Sequence, residues 1–267
     1  MAKQAAAGEQ AALRARMDFL TAASHELRIP LAVVRGTAEI GLVLESGCGH
    51  ADSTRDALRR ILAGAVRMSQ LLDDLLFLAR SDTGDVRFDL QRLDAAELLR
   101  SVADRAADLA RERGARLRPR LNVTGMLCAD AALMERAILI LIDNAAKYGS
   151  PRGIVELRAR ADADVLVIDV ADQGSGIRES DLALIFERFY RAEPDMATRR
   201  VTGAGLGLSI ASVIVKSHRG EIGGTSRHGA GTVMTIRLPL AVEQQAQHPS
   251  LSRAPGEEVE GPAADLG

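Results

Sequence analysis

Apolar residues recur in steps of four and three along the first eighty positions. Leu13, Met17, Leu20, Leu27, Leu31, Val34, Ala38 and Gly41 form one series, interrupted only by Ser24. That spacing is the seam of a long amphipathic helix. A breaker cluster, Ser46-Gly47-Cys48-Gly49, follows. A second series, Leu58, Ile61, Ala65, Met68, Leu72, Leu75 and Ala79, predicts a second helix. It should stop near Ser81-Asp82-Thr83-Gly84. Two such helices joined by a short loop make a helical hairpin. One hairpin cannot bury both seams together with the flanking Leu71, Leu76 and Phe77. Two hairpins pairing as a four-helix bundle would, so a homodimer is expected.

Past residue 84 the period changes to alternating strands and helices. Asp94-x-x-Glu97 has the spacing of a helix start, and Asp130 precedes a helix reaching about Lys147. Residues 154–160 and 165–171 read as paired strands around Asp162-Ala163-Asp164. A glycine-rich stretch at 203–207 opens a helix to about His218, and strands near 221–227 and 232–238 close the unit. The predicted fold class is therefore multidomain: an all-α helical hairpin followed by an α/β sandwich. The expected boundaries are a flexible N-terminus at 1–12, the hairpin at 13–83, a hinge at 84–87, the sandwich at 88–241 and a disordered tail at 242–267.

Composition narrows this further. Aromatics make up 3% of the 267 residues and Trp is absent, so the core must be Leu, Ile, Val and Ala. With 34 basic against 36 acidic residues, no global field selects nucleic acid or an anionic membrane. Cys48 and Cys128 lack the spacing of a zinc site and read as reduced thiols. No apolar run approaches the roughly 18 residues of a membrane span, and the N-terminus lacks a signal-peptide core.

The first helix carries Ser24-His25-Glu26-Leu27-Arg28-Ile29-Pro30. His25 stands one position off the seam, which turns its ring toward solvent. Pro30 removes the amide that would bond the carbonyl of Glu26 and should loosen that turn. An exposed neutral imidazole is a candidate nucleophile near pH 7, and Glu26 can accept from one ring nitrogen while the other attacks.

Ser-His-Glu-Leu-Arg-x-Pro-Leu resembles the phosphoacceptor box of sensor histidine kinases from bacterial two-component systems. Further motifs follow in that family's order. Asp143-Asn144-Ala145-Ala146-Lys147-Tyr148 resembles its asparagine box, and Asp172-Gln173-Gly174-Ser175-Gly176-Ile177 its first glycine box. Residues 185–191, Ile-Phe-Glu-Arg-Phe-Tyr-Arg, resemble its phenylalanine box. Gly203-Ala204-Gly205-Leu206-Gly207-Leu208 resembles its second glycine box, and Gly229-Ala230-Gly231-Thr232 its last glycine-rich turn. A lone Gly-x-Gly is weak evidence, but an ordered set of this kind is strong.

The resemblance implies a HisKA-type dimerisation and phosphotransfer hairpin and a GHKL-type ATP-binding domain. It implies phosphorylation of His25 by ATP, with Glu26 as hydrogen-bond acceptor and base, then transfer to an Asp of a response regulator receiver domain. Implied nucleotide contacts are Asn144, Lys147, Tyr148, Asp172, Gly174, Gly176, Ile177, Arg191, Gly203, Gly205, Leu206, Gly207, Leu208 and Thr232. The Asn144 amide oxygen suits Mg²⁺ carried with ATP, Lys147 lies on the same helix face to meet phosphate, and Tyr148 can cover the base. Asp172 can accept from the adenine amino group, and Gly174 and Gly176 let the backbone close to the base. The amides at the start of the helix after Gly203, Gly205 and Gly207 suit phosphate oxygens. Residues 178–202 read as a lid, and Arg191 is implied to touch the terminal phosphate. The expected location is cytoplasmic, or the cytoplasmic part of a membrane-bound sensor whose membrane contact comes through preceding segments or a partner.

Two positions depart from the family pattern. Ile140 replaces a polar residue one helical turn before Asn144, and Ile29 replaces the Thr or Asn usual four residues after His25. Ile140 opens an alternative reading, a degenerate dimeric scaffold that binds a regulator or ATP without turnover. Ile29 predicts weak phosphatase activity toward the regulator. A gyrase- or chaperone-like ATPase is a third reading, disfavoured by the His-bearing hairpin.

Overall fold

The computed structural model describes residues 23, 26–40, 51–192 and 203–241. His25, the breaker cluster, the last part of the expected lid and both expected termini lie outside the described residues. The first helix, α1, covers 26–40 and runs through Pro30, whose fixed φ is compatible with a helix. Helix α2 spans Ala51–Thr83, and Gly84 follows it at φ 75°, in the left-handed region where glycine terminates helices. The two helices meet closely at Gly64. A Cβ there would lie 2.5 Å from Val34 Cγ2, so only a glycine lets α1 approach this far.

Within the single chain the second seam is only partly covered. Leu75 is buried as expected, but Leu71 and Leu78 are buried beside it while Leu58 and Leu72 are exposed. The reason is tertiary. The C-terminal half of α2 packs into the same core as the following domain, which draws in a stripe rotated from the expected seam. Apolar residues left outside that stripe, Leu58, Leu62, Val66, Leu72 and Leu76, remain exposed along the helix.

The second domain is a sheet covered by helices. Its elements are β1 (Gln91–Asp94), α3 (Ala95–Glu112), β2 (Arg116–Asn122), β3 (Met126–Ala129), α4 (Ala131–Tyr148), β4 (Ile154–Asp162) and β5 (Val165–Ala171). They continue with α5 (Glu179–Leu182), α6 (Gly207–Ser217), β6 (Glu221–Arg227) and β7 (Gly231–Ala241). The seven strands run in the order β1-β3-β7-β5-β4-β2, with β6 also paired to β7. The β2–β4 pair is parallel and the others are antiparallel.

Local chemistry explains these boundaries. Asp94 and Asp130 cap α3 and α4, accepting from Glu97 N at 2.9 Å and Leu133 N at 3.1 Å. In β4, β5 and β7 alternate residues point inward: Val155, Leu157 and Ala159, then Leu166, Ile168 and Val170, then Met234, Ile236 and Leu238. They pack on Leu99, Val102, Ile138, Leu141, Ile142, Ile210 and Ile214, all fully buried on α3, α4 and α6. The opposite face is polar, as in the Arg160–Asp169 ion pair and the Thr235 hydroxyl donating to Asp169, both at 2.7 Å. This is the two-layer α/β sandwich expected from the sequence. Three of its strands, β1, β2 and β3, go beyond that reading.

Candidate functional site

A cleft of about 1680 Å³ lies between the hairpin and the sandwich. Its sandwich wall comes from one face of α4, where Ile140, Asn144, Lys147 and Tyr148 succeed one another at helical spacing. The loop after β5 adds Asp172, Gly176 and Ile177, and β7 adds Thr232. Arg191 borders the cleft, as do Gly203, Gly205, Leu206, Gly207 and Leu208 at the start of α6. The hairpin wall includes Glu26, Ile29 and Pro30. The nominated residues thus share one space, with two exceptions: His25 lies outside the described residues, and Gly174 is not part of the cleft wall.

Gly174 has another constraint. A Cβ on it would sit 2.0 Å from the Tyr148 carbonyl oxygen, so the loop can lie against the end of α4 only without a side chain. Gly176, at φ 70°, would place a Cβ 2.2 Å from the Arg227 carbonyl oxygen. These glycines therefore bring backbone against backbone within the protein, which fixes the loop that carries Asp172. The Ser226 hydroxyl accepts from Ile177 N at 2.7 Å and Gly229 N donates to Ser175 O at 2.6 Å, tying that loop to the β6–β7 turn.

Asp172 is a half-buried charge of the site. Its Oδ1 accepts from Gly174 N at 2.8 Å. Burial raises its carboxyl above the ordinary range, and the backbone amides of Gly174 and Thr232 pull it partly back. Burial likewise raises the Tyr148 hydroxyl, against the attraction of Arg191 and with the help of the Asp143 charge. Tyr148 remains 40% exposed, its ring available to a flat group.

Leu206 is the N-cap of α6, and no side chain caps the helix there. Its first-turn amides lie at the cleft wall at Gly207 and Leu208, the arrangement that suits an anion. Ile140 meets this end: a Cβ on Gly207 would lie 3.2 Å from Ile140 Cγ2. The half-buried Ile140 side chain therefore buttresses the α6 terminus, one turn before Asn144.

Family models match both halves of the chain. The His Kinase A (phospho-acceptor) domain matches residues 15–84, and the histidine kinase-, DNA gyrase B- and HSP90-like ATPase matches residues 129–242. The chain belongs to the sensor histidine kinase family. It is 31% identical over 231 residues to the sensor protein CzcS of Cupriavidus metallidurans, covering 86% of this chain and 47% of that protein. It is 33% identical over 223 residues to the sensor protein IrlS of Burkholderia pseudomallei, covering 83% and 47%. The chain thus spans about half the length of these curated relatives. Among solved structures, ShkA in complex with AMPPNP aligns at a TM-score of 0.61 and 25% identity, covering 83% of this chain and 46% of that one. The histidine kinase AdeS of Acinetobacter baumannii shares the fold at a TM-score of 0.62 and 21% identity, covering 81% and 98%.

This kinase fold also places residues that sequence reasoning did not nominate. Asp143 accepts from Arg113 Nε at 2.8 Å on one oxygen and pairs with Lys147 through the other. Arg136 of α4 holds Asp74 of α2 at 2.5 Å and lies 4.9 Å from the centroid of the Phe77 ring. Burial outweighs this guanidinium and raises the Asp74 carboxyl. Arg188, in the phenylalanine box, grips Asp82 with both nitrogens, at 2.5 and 2.8 Å. Its hydrogen bonds hold the Asp82 carboxyl below the ordinary range. These pairs join residues 62 and 106 positions apart, so no local pattern announces them. Among the described residues, no helix is long and apolar enough to cross a membrane.

Proposed function

We propose that this chain is an active kinase core that transfers the γ-phosphoryl group of ATP to His25 and then to an Asp of a response regulator. One observation carries the reading: a single cleft is lined by Asn144 and Asp172 on one side and by Glu26, the neighbour of His25, on the other. Asp172 accepts from the adenine amino group, and Tyr148 covers the ring. Lys147, Arg191 and the first amides of α6 meet the phosphates. An imidazole nitrogen of His25 attacks the γ-phosphorus. The N–P bond forms as the bridging O–P bond breaks, ADP leaves, and Glu26 takes the proton lost from the ring.

Mg²⁺ fits this donor set. Asn144 offers a hard amide oxygen at the cleft wall, while its neighbour Asp143 is held by Arg113 and Lys147. A Mg²⁺ ion that keeps waters and phosphate oxygens needs few protein ligands. When bound, it would neutralise phosphate charge.

The exposed Leu58, Leu72 and Leu76 support a homodimer through the hairpins. Residues 84–87 serve as the hinge between the domain spanning 13–83 and that spanning 88–241. Ile29 is 52% exposed at the cleft and has no polar atom to position water, which supports weak phosphatase activity toward the regulator.

Ile140 favours a second reading, a non-catalytic scaffold, because its alkyl group stands one turn before Asn144 and cannot ligate metal. Incubation with γ-labelled ATP and Mg²⁺ separates the two. The kinase reading expects acid-labile, alkali-stable label on the wild type and none on His25→Ala. The scaffold reading expects ATP binding without label, restored by Ile140→Asn.

A further inference from the structure

We propose that Arg113 is a positioning residue of the nucleotide site, acting on Lys147 through Asp143; the inference rests on the ATP reading above. Arg113 ends α3, and its Nε donates to Asp143 Oδ1 at 2.8 Å. Lys147, one turn after Asp143 on α4, pairs with Oδ2 of the same carboxylate. All three side chains border the cleft beside Asn144 and Tyr148. The Asp143 and Lys147 side chains are 22% and 24% exposed, so the cluster is only partly screened by water.

This arrangement resolves a conflict in the site. Lys147 is placed to meet phosphate, yet it is already bound to a carboxylate that would repel phosphate. If Asp143 had Lys147 as its sole partner, transfer of the ammonium to ATP would leave an unpaired, half-buried anion beside other anions. Arg113 holds the second oxygen, so Asp143 stays paired when Lys147 turns to the nucleotide. Its guanidinium also fixes the carboxylate orientation from which Lys147 is presented. The two cations outweigh the single carboxylate, so the corner is attractive to phosphate.

The effect should depend on phosphate and not on the base. Arg113→Gln is expected to weaken ATP binding by about threefold to fivefold, the scale of one partly exposed ion pair. Adenosine binding should not change. Arg113→Lys should recover part of the loss, and Asp143→Asn placed in the Arg113→Gln chain should recover most of it, because the carboxylate needing neutralisation is gone. The test is calorimetric binding of ATP and adenosine to the full chain and these variants in low salt, with thermal melting as the folding control. Equal losses for ATP and adenosine, no loss for either, or no recovery in the double variant would overturn the inference while leaving the ATP reading intact. A wild-type chain that binds no ATP would overturn both.

Discussion

The hairpin and the sandwich solve the problem of apolar burial in opposite ways. The sandwich closes on itself: Leu99, Ile138, Leu141, Leu166, Ile168 and Ile210 are each 0% exposed. The hairpin leaves Leu58 61% exposed and Leu62 65% exposed on a helix whose other stripe is buried. A unit that buries its own core can act as a rigid binding module. A unit with an uncovered stripe is built to be completed by another surface. The cleft lies where the two meet, so the self-sufficient part contributes Asn144 and Asp172 to it and the unfinished part contributes Glu26.

The largest expected effect lies inside the sandwich. Leu141→Ala removes a fully buried side chain and should cost about 2–5 kcal/mol in chemical unfolding. The comparison breaks if this variant unfolds no more easily than one altered at Leu62.

Next is Asp172→Asn, which should lower ATP affinity by about 10- to 100-fold, the scale of a hydrogen bond to a charged group. Stability should move the other way. Because burial raises the folded-state pKa of Asp172 above its unfolded value, its ionised form is disfavoured by folding. That cost is present at neutral pH and is relieved as pH falls through the raised pKa. The amide variant should therefore be at least as stable as the wild type while binding ATP poorly. In the wild type, ATP affinity should fall on acidification at a higher pH than an ordinary aspartate, near 3.9, would give. Calorimetry across pH with parallel melting checks both signs.

On the hairpin, Leu72→Ala should weaken self-association by up to about 2 kcal/mol, since three carbon groups leave a covered surface. Sedimentation should show the shift toward monomer, with little change in ATP affinity. Smallest is Asp82→Asn, which breaks the Arg188 grip between α2 and the phenylalanine box. With the Asp82 side chain 55% exposed, the cost should stay within about 1 kcal/mol. Arg188 depresses the folded-state pKa of Asp82, so this contribution is present above the unfolded pKa and lost as pH falls through the folded one. Melting of the variant and the wild type should therefore converge in acid.

Much of this was legible in the sequence where the signal is local. The caps Asp94 and Asp130, the β4–β5 pair around Ala163 and the glycine turns all declare themselves within a few residues. Strand β2 does not. Arg-Leu-Arg-Pro-Arg-Leu-Asn carries charges and a proline, which a strand tolerates because it lies at the sheet edge, paired to β4 alone. On α2 a periodicity marks apolar positions without saying which neighbour covers each, so the stripe that meets the sandwich is not told apart from the one the single chain leaves exposed. Asp143, Arg113, Asp82 and Arg188 were missed for the same reason: their partners are chosen by the tertiary fold. Gly174 and Gly176 of the first glycine box accommodate the protein's own backbone, a role their spacing does not announce.

In the proposed kinase, this cleft delivers phosphate to His25. The most direct measurement is site mapping by mass spectrometry of the full chain after incubation with ATP and Mg²⁺, digested and separated under alkaline conditions that preserve phosphohistidine. Phosphate is expected on the peptide bearing Ser24-His25-Glu26, on the imidazole of His25 and not on the adjacent serine. An unmodified His25 in a chain that demonstrably binds ATP would contradict it.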